Sequence, residues 1–323
     1  MRLAERYSGR SMALPPSPRI LPFTAAAIAE AARLVMAGEP VAMPTETVYG
    51  LAADATNPAA VAKIYAAKGR PSFNPLIVHV ANLAAAEKIG RFSDQARALA
   101  EAHWPGPLTL VVPLREGAAI ASLVTAGLDS IALRVPAHPA MQALLKATAR
   151  PLAAPSANAS GHISPTRAAH VAASLAGKIT LIIDGGPSER GLESTIVAVT
   201  GGPLRLLRRG PVAVDAEEAS SASVEAPGMM ASHYAPSKPL RLDACEARKG
   251  DYMIGFGDVK GDVSLSESGD PVEAAARLFD LLHQADASPK PRIAVAPIPG
   301  TGIAAAIRDR LRRAAAPRPS AGP

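Results

Sequence analysis

The apolar and polar positions of this chain fall into blocks of two kinds. Some are Ala-rich stretches bounded by capping residues, and others are short apolar runs that stop at Pro, Gly, Ser or Asp. The first kind predicts helices and the second predicts buried strands. Thr24 caps a helix that runs to about Ala37 and is ended by Gly38. Val41-Ala42-Met43 is a strand that stops at Pro44, and Asn57-Pro58 opens a helix to about Ala67. Lys68 and Arg70 then lie just past that helix. Leu76–Val80 is a strand with His79 inside it, and 82–103 is helical in two pieces. After the break at Trp104-Pro105-Gly106-Pro107 come strands at Leu108–Pro113 and Ile131–Val135, the latter carrying Arg134, and a helix over 138–149. Leu152–Pro155 is a short strand opening into Ser156–Gly161, and Thr166 caps the next helix. Ile179–Ile183 is a strand, and Ser194–Val199 with Leu204–Leu207 forms a hairpin around Gly201-Gly202 that delivers Arg208. Strands and helices mingle without strict alternation. The pattern predicts an α/β fold with a mixed, twisted sheet and helices on its faces.

Past Pro211 the pattern lapses into Ala, Ser, Glu and Pro, and it resumes only after Lys238. Within this stretch lies Ala226–Pro236, reading APGMMASHYAP, which is too specific for a spacer. Strands at Tyr252–Phe256 and Ile293–Ala296 then alternate with helices over 271–285 and 302–315, as in a small βαβ-type, Rossmann-like unit. The expected organisation is a flexible tail over 1–19, a first domain over 20–210, a linker over 211–238, a small C-terminal α/β domain over 239–316, and a tail over 317–323.

Composition narrows the picture. Net charge is +6, which permits an anionic ligand, while 3% aromatic residues argue against a stacking platform for several bases. No run of ~18 apolar residues predicts a membrane span, and no apolar segment follows the N-terminal arginines as in a secretory signal. Cys245 is the single cysteine, so no internal disulfide can form, and a cytoplasmic location is expected. The phosphate-binding, dinucleotide-binding, zinc and serine-hydrolase motifs are all missing, and no metal-ligand cluster is predicted.

The chemistry concentrates between Pro44 and Val80. Consecutive elements deliver the hydroxyls of Thr45 and Thr47, the cations Lys68 and Arg70, and the imidazole of His79. Singly, each reads as a turn, a solvated charge or a core histidine; together they point to an anion site. Arg134 lies in an apolar strand, where an unpaired charge is costly. It needs a carboxylate, either from a ligand or from a structural ion pair.

The segments Pro44–Gly50, Lys68–Val80, Trp104–Thr109, Thr125–Pro136, Ala154–Thr166, Asp184–Ile196, Leu207–Gly210 and Ala226–Pro236 together resemble the YrdC-like family. Within it the chain is similar to the longer, two-domain threonylcarbamoyl-AMP synthases. The family's Lys-x-Arg and Ser-x-Asn signature is complete as Lys68, Arg70, Ser156 and Asn158. Arg209 stands where the family has Pro, Leu192 where it has Val, and Met230 and Ser232 replace basic residues in the linker motif.

The resemblance implies a YrdC-like fold enclosing a basic concave site. It also implies a reaction: L-threonine, bicarbonate (or CO2) and ATP give threonylcarbamoyl-AMP and pyrophosphate. The product goes to proteins that transfer the group to tRNA; direct tRNA contact is not required. Lys68 and Arg70 become the catalytic cations. Thr47, His79, Arg134, Ala154 (through its backbone) and Ser194 are placed at threonine. Arg70, Asn74, Ser130, Ser156, Asn158, Ser164, Arg208 and Tyr234 are placed at ATP, with Tyr234 closing from the linker. Magnesium is expected to ride on the ATP phosphates; Glu46 and Asp184 are weaker candidates to hold it through water. Two competing readings remain at this stage: a non-catalytic RNA-binding module using the basic concavity, and a carbamoyl-handling domain for another acceptor.

Overall fold

The computed structural model describes residues 17–219, 225–230 and 232–317. Residues 1–16 and 318–323 of the expected tails, and 220–224 and 231 of the expected linker, lie outside the described residues. The chain opens with β1 (Arg19–Pro22), α1 (Ala25–Met36), β2 (Val41–Met43), β3 (Gly50–Asp54), α2 (Pro58–Lys68) and β4 (Ile77–His79). There follow α3 (Leu83–Glu87), α4 (Asp94–His103), β5 (Leu108–Pro113), α5 (Ser122–Thr125), β6 (Ser130–Arg134), α6 (Pro139–Thr148) and β7 (Leu152–Ala153). α7 (Ala168–Ser174), β8 (Leu181–Asp184), β9 (Thr195–Ala198), β10 (Arg205–Arg208) and β11 (Glu217–Glu218) complete the first unit. The second has β12 (Leu240–Arg241), β13 (Asp251–Gly255), β14 (Val263–Ser264), α8 (Pro271–Ala287), β15 (Arg292–Val295) and α9 (Ile303–Ala315).

Local chemistry sets these boundaries. The Thr24 hydroxyl accepts from the Ala27 amide at 3.2 Å, and the Asn57 side chain accepts from the Ala59 and Ala60 amides. Both satisfy amides that a helix start leaves without partners. Three readings need correction. Lys68 belongs to the last turn of α2, because the left-handed residue that ends the helix is Gly69. A strand, β3, follows the 44–50 loop and pairs antiparallel with β2. Thr166 does not cap α7; the N-cap is Arg167, with no side-chain capping bond.

Among the described residues, β1 to β11 form one mixed sheet in the order β1-β8-β2-β3-β7-β4-β6-β5-β9-β10-β11. One face is covered by α2, α4 and α7, whose Val61, Ile64, Ala100 and Val171 pack on Leu51, Val78, Leu110 and Leu133. On the other face α1 and α6 cover only the half around β8, β2 and β7. The rest of that face, with Ile77, Ala132, Ile196 and Leu207, meets Ala226 and Met229 of the linker instead of a helix. Strand side chains alternate between faces, so His79 and Arg134 emerge on the same face as Ile77 and Ala132. Arg208 reaches it by another device. The β9–β10 register shifts between Leu206 and Arg208, and this bulge turns Leu207 and Arg208 to the same face.

The second unit is a four-stranded parallel sheet, β12-β15-β13-β14, with α8 and α9 packed on it. Its core continues into the first unit through Val48, Ile163, Leu192 and Tyr234. Gly191 sits at φ +65°, and a Cβ there would lie 2.4 Å from the Ala275 carbonyl oxygen of α8. Only glycine allows that approach. No helix among the described residues is long and apolar enough to cross a membrane.

Candidate active site

The helix-free half of the sheet face holds a cavity at the ends of β4, β6 and β10. The loops after β2 and β7 and the linker complete its walls. Its free space is about 40 Å³, and the linker's His233 and Tyr234 form part of its wall. That volume admits a few waters and no nucleotide.

One end is cationic. Lys68 is buried, and its Nζ donates to the carbonyl oxygens of Ser156 at 2.6 Å and Asn158 at 2.5 Å. Arg70 donates to the Asn74 carbonyl at 3.1 Å, the Asn74 side chain at 2.6 Å and the Pro75 carbonyl at 2.8 Å. Arg208 donates to the Ser194 carbonyl and hydroxyl, both at 3.0 Å, and to the Pro227 carbonyl. Each of these cations is satisfied by neutral oxygens. Burial, then the neighbouring Arg70 charge, pushes Lys68 well below the usual lysine range; burial brings Arg70 and Arg208 down to about 10.

At the other end Arg134 donates to the Glu46 carboxylate at 2.6 Å, the Thr47 hydroxyl at 2.9 Å and the Gly106 carbonyl at 3.1 Å. The structural ion pair weighed above is therefore present. Burial would raise the Glu46 carboxyl, but the Arg134 charge and hydrogen bonds outweigh it and hold it below its ordinary value. Thr45 fixes the loop: its hydroxyl lies 2.9 Å from that of Thr47 and donates to the Val48 carbonyl at 2.6 Å. His79 is 2% exposed, its Nδ1 has no partner, and burial followed by the Arg134 charge brings its pKa down to about 3. It is a neutral imidazole that can exchange hydrogen bonds but brings no charge.

The linker closes the cavity with buried rings. Tyr234 is 1% exposed, adopts φ +66°, and packs on Phe279 of α8 at 5.6 Å. Its hydroxyl has no hydrogen-bond partner among the described residues. A Cβ at Gly228 would lie 2.7 Å from that hydroxyl, so this turn of the linker must be glycine. His233 is buried beside it, held neutral by burial and by the surrounding cations.

Of the residues named from sequence, Thr47, Arg70, His79, Arg134, Ala154, Ser156, Ser194, Arg208 and Tyr234 line this one cavity. Lys68 and Asn74 bond to its lining without lining it, through Ser156 and Arg70, and Asn158 stands behind them, accepting from Lys68. Ala154 spends its amide on the Ile77 carbonyl. Asn74 also donates to Met230 sulfur at 3.5 Å, across from the linker. Ser164 is buried and gives its proton to Glu193 at 2.5 Å, so it is not a free donor. Ser130 opens β6 opposite Pro113 and does not line the cavity. Asp184 accepts from the Tyr49 hydroxyl and the Gly186 amide.

Sequence reading missed Thr109, His233, Glu193 and Arg310. Thr109 shares a 2.7 Å hydrogen bond with Ser194. Glu193 lines the cavity and accepts from Arg310 of α9 at 2.8 Å. Arg310 carries a legible signal, because it shares the buried stripe of α9 with Ala306, Ile307, Leu311 and Ala314. No group of three or more His, Cys, Asp or Glu residues that could hold a metal occurs among the described residues.

A mixed α/β sheet with cations buried on its helix-free face, closed by a linker that an appended α/β unit supports, defines a two-domain protein built to hold anions. A family model described as telomere recombination matches residues 33–210, and one described as threonylcarbamoyl-AMP synthase, C-terminal domain, matches residues 192–316. The threonylcarbamoyl-AMP synthase of Bacillus subtilis (strain 168) is 40% identical, over 90% of this chain and 93% of that protein. The Pyrococcus abyssi enzyme of the same name is 39% identical, over 88% and 92%. The crystal structure of P. abyssi Sua5 complexed with L-threonine superposes with a TM-score of 0.84 at 35% identity, covering 92% of this chain and 97% of that one. The chain belongs to the YrdC-like family in its long, two-domain form, and is an enzyme of the nucleotidyltransferase kind.

Proposed function

We propose that this protein makes L-threonylcarbamoyladenylate from L-threonine, bicarbonate (or CO2) and ATP. The observation that carries the reading is that Lys68, Arg70 and Arg208 are buried with only neutral oxygens as partners. They stand at one end of a cavity whose other end presents Thr47, His79 and Arg134. The cationic end suits a polyphosphate and the other an amino acid; the L-threonine held by the P. abyssi relative supports an amino-acid substrate.

The threonine amine loses a proton and adds to CO2, giving a carbamate. A carbamate oxygen then attacks the α-phosphorus, and the bond to the pyrophosphate oxygen breaks. The nucleophile is already an anion, so no strong protein base is needed, and the neutral His79 is consistent with that. The protein's part is to bring two anions together and to neutralise charge on the transferred and departing phosphates. Lys68 and Arg70 meet that charge, and Arg208, bonded to Ser194, adds a third cation. Asn74, Ser156 and Asn158 orient the cations, and Ala154 offers backbone beside threonine. Arg134, already oriented by Glu46, keeps a cation beside the threonine carboxylate. Magnesium fits best on the ATP phosphates; Glu46 already gives one oxygen to Arg134, and Asp184 gives one to Tyr49 and Gly186.

Nucleotide entry requires the linker to lift His233 and Tyr234, which then close over the bound ATP. The product passes to tRNA threonylcarbamoyl-transfer proteins, in the cytoplasm. The test is pyrophosphate release from ATP with bicarbonate present, with and without L-threonine. Release independent of threonine, or none, overturns the reading.

A further inference from the structure

We propose that Arg310, on the second domain, is a positioning residue: it holds the linker closed over the cavity and neutralises the carboxylate that faces the nucleotide. The kinetic part of this rests on the function proposed above; the linker part does not.

Arg310 is fully buried, and every contact it makes beyond its own helix leads to the site. Its Nε donates to Glu193 at 2.8 Å, and its Nη2 donates to the Arg209 carbonyl at 2.8 Å, beside Arg208. Its guanidinium carbon lies 5.2 Å from the centre of the Tyr234 ring, within cation–π range. The remaining amine donates to Asp309. A charge on the apolar stripe of α9 stabilises a fold less than an apolar side chain of similar volume would. Core packing alone therefore does not account for it.

The same helix grips the linker at a second point. Arg313 donates to the carbonyls of Met229 at 3.1 Å and Met230 at 2.6 Å, and its own carbonyl accepts from the His233 amide at 3.1 Å. Between these grips Tyr234 sits in the left-handed region, which a tyrosine seldom adopts. Phe279 and Arg310 hold its ring there, while its hydroxyl bonds to nothing among the described residues. The closed linker is thus maintained from the second domain.

Electrostatics adds the second role. Glu193 is the one carboxylate among the described residues lining the cavity. The Arg208 charge also acts on it, but Arg310 is the cation bonded to it, and without that bond it would face an incoming polyphosphate as a like charge only partly answered. The Thr47–Arg134 end does not touch this pair.

The full-length protein tests the idea. Hydrogen exchange without substrates reads the linker through the His233 and Ala235 amides, which are bonded to the Arg313 and Gly161 carbonyls. Arg310→Gln is expected to speed their exchange ~10-fold or more. It should also raise the KM for ATP roughly tenfold while the KM for threonine stays within about threefold. Arg310→Lys, which keeps the charge, should recover part of both. Adding Glu193→Gln to Arg310→Gln should recover part of the ATP KM but leave linker exchange fast. If Arg310→Gln fails to fold by circular dichroism, Arg310→Lys and the double variant are read the same way against wild type. Unchanged linker exchange in the folded variants, or equal rises in both KM values, overturns the proposal. A wild type that releases no pyrophosphate would instead overturn the function reading, because linker exchange needs no substrate.

Discussion

The two ends of the cavity treat buried cations in opposite ways. Arg134 has a carboxylate, Glu46, as a built-in partner. Lys68, Arg70 and Arg208 have only carbonyl, amide and hydroxyl oxygens. A paired guanidinium is stable and fixed in direction, but much of its charge is already answered. A cation among neutral oxygens is held in place with its charge unanswered, at a cost that burial makes large. The first arrangement orients a small ligand; the second stores attraction for an incoming polyanion. On the function proposed above, the difference is what lets one site bring two negatively charged substrates together.

Breaking the phosphate end should have the largest effect. Lys68→Met or Arg70→Ala is expected to lower the pyrophosphate-forming rate by ~10²–10³-fold, the range for losing one preorganised donor to developing charge. Threonine binding measured by calorimetry should change little. A rate near wild type in both variants would remove the contrast between the ends.

At the paired end, Arg134→Ala strands the Glu46 carboxylate, and the loss of one partner of such a pair typically costs ~3–5 kcal/mol of stability. The threonine requirement should rise far more than the ATP requirement. Equal rises in steady-state kinetics would place Arg134 elsewhere in the mechanism. The pair also has a pH signature. Because Glu46 is held below its ordinary value in the fold, its contribution is present above the unfolded carboxyl pKa of about 4.3 and is lost as pH falls through the folded value. The stability gap between wild type and Glu46→Gln in denaturant titrations should therefore narrow in acid; a gap constant with pH would contradict the pairing.

The unanswered cations predict a smaller, thermodynamic effect. Lys68 is pushed down in the empty site, and a polyphosphate beside it must raise it again. ATP binding should then take up protons, seen as a dependence of calorimetric heat on the buffer's ionisation enthalpy. Lys68→Met should abolish the uptake; uptake that survives would assign it to another group.

The mildest expected effect is at the lid. Tyr234→Ala should keep the fold, weaken ATP binding and raise the pyrophosphate released per tRNA modified when the transfer proteins are supplied. An unchanged ratio with unchanged ATP affinity would reduce Tyr234 to an anchor between the domains.

Sequence by itself determined the elements with strong local rules. Caps at Thr24 and Asn57, the glycine end at Gly38, and short apolar runs such as Leu108–Pro113 depend on neighbours in the chain. The residues themselves also brought out Thr47, Lys68, Arg70, His79 and Arg134, while the resemblance to the YrdC-like family supplied Ala154, Ser156, Ser194, Arg208 and Tyr234. Only the tertiary structure decided their partners. That Glu46 pairs with Arg134 is decided in three dimensions, since the loop after β2 reaches β6 although β3, β7 and β4 lie between those strands in the sheet. That Arg208 turns inward follows from a bulge with no residue signature of its own. That Arg310 answers Glu193, 117 positions earlier in the chain, follows from α9 docking against the first domain. Charge pairing acts through space at hydrogen-bond distance, and distances of that kind are fixed by packing rather than by position along the chain.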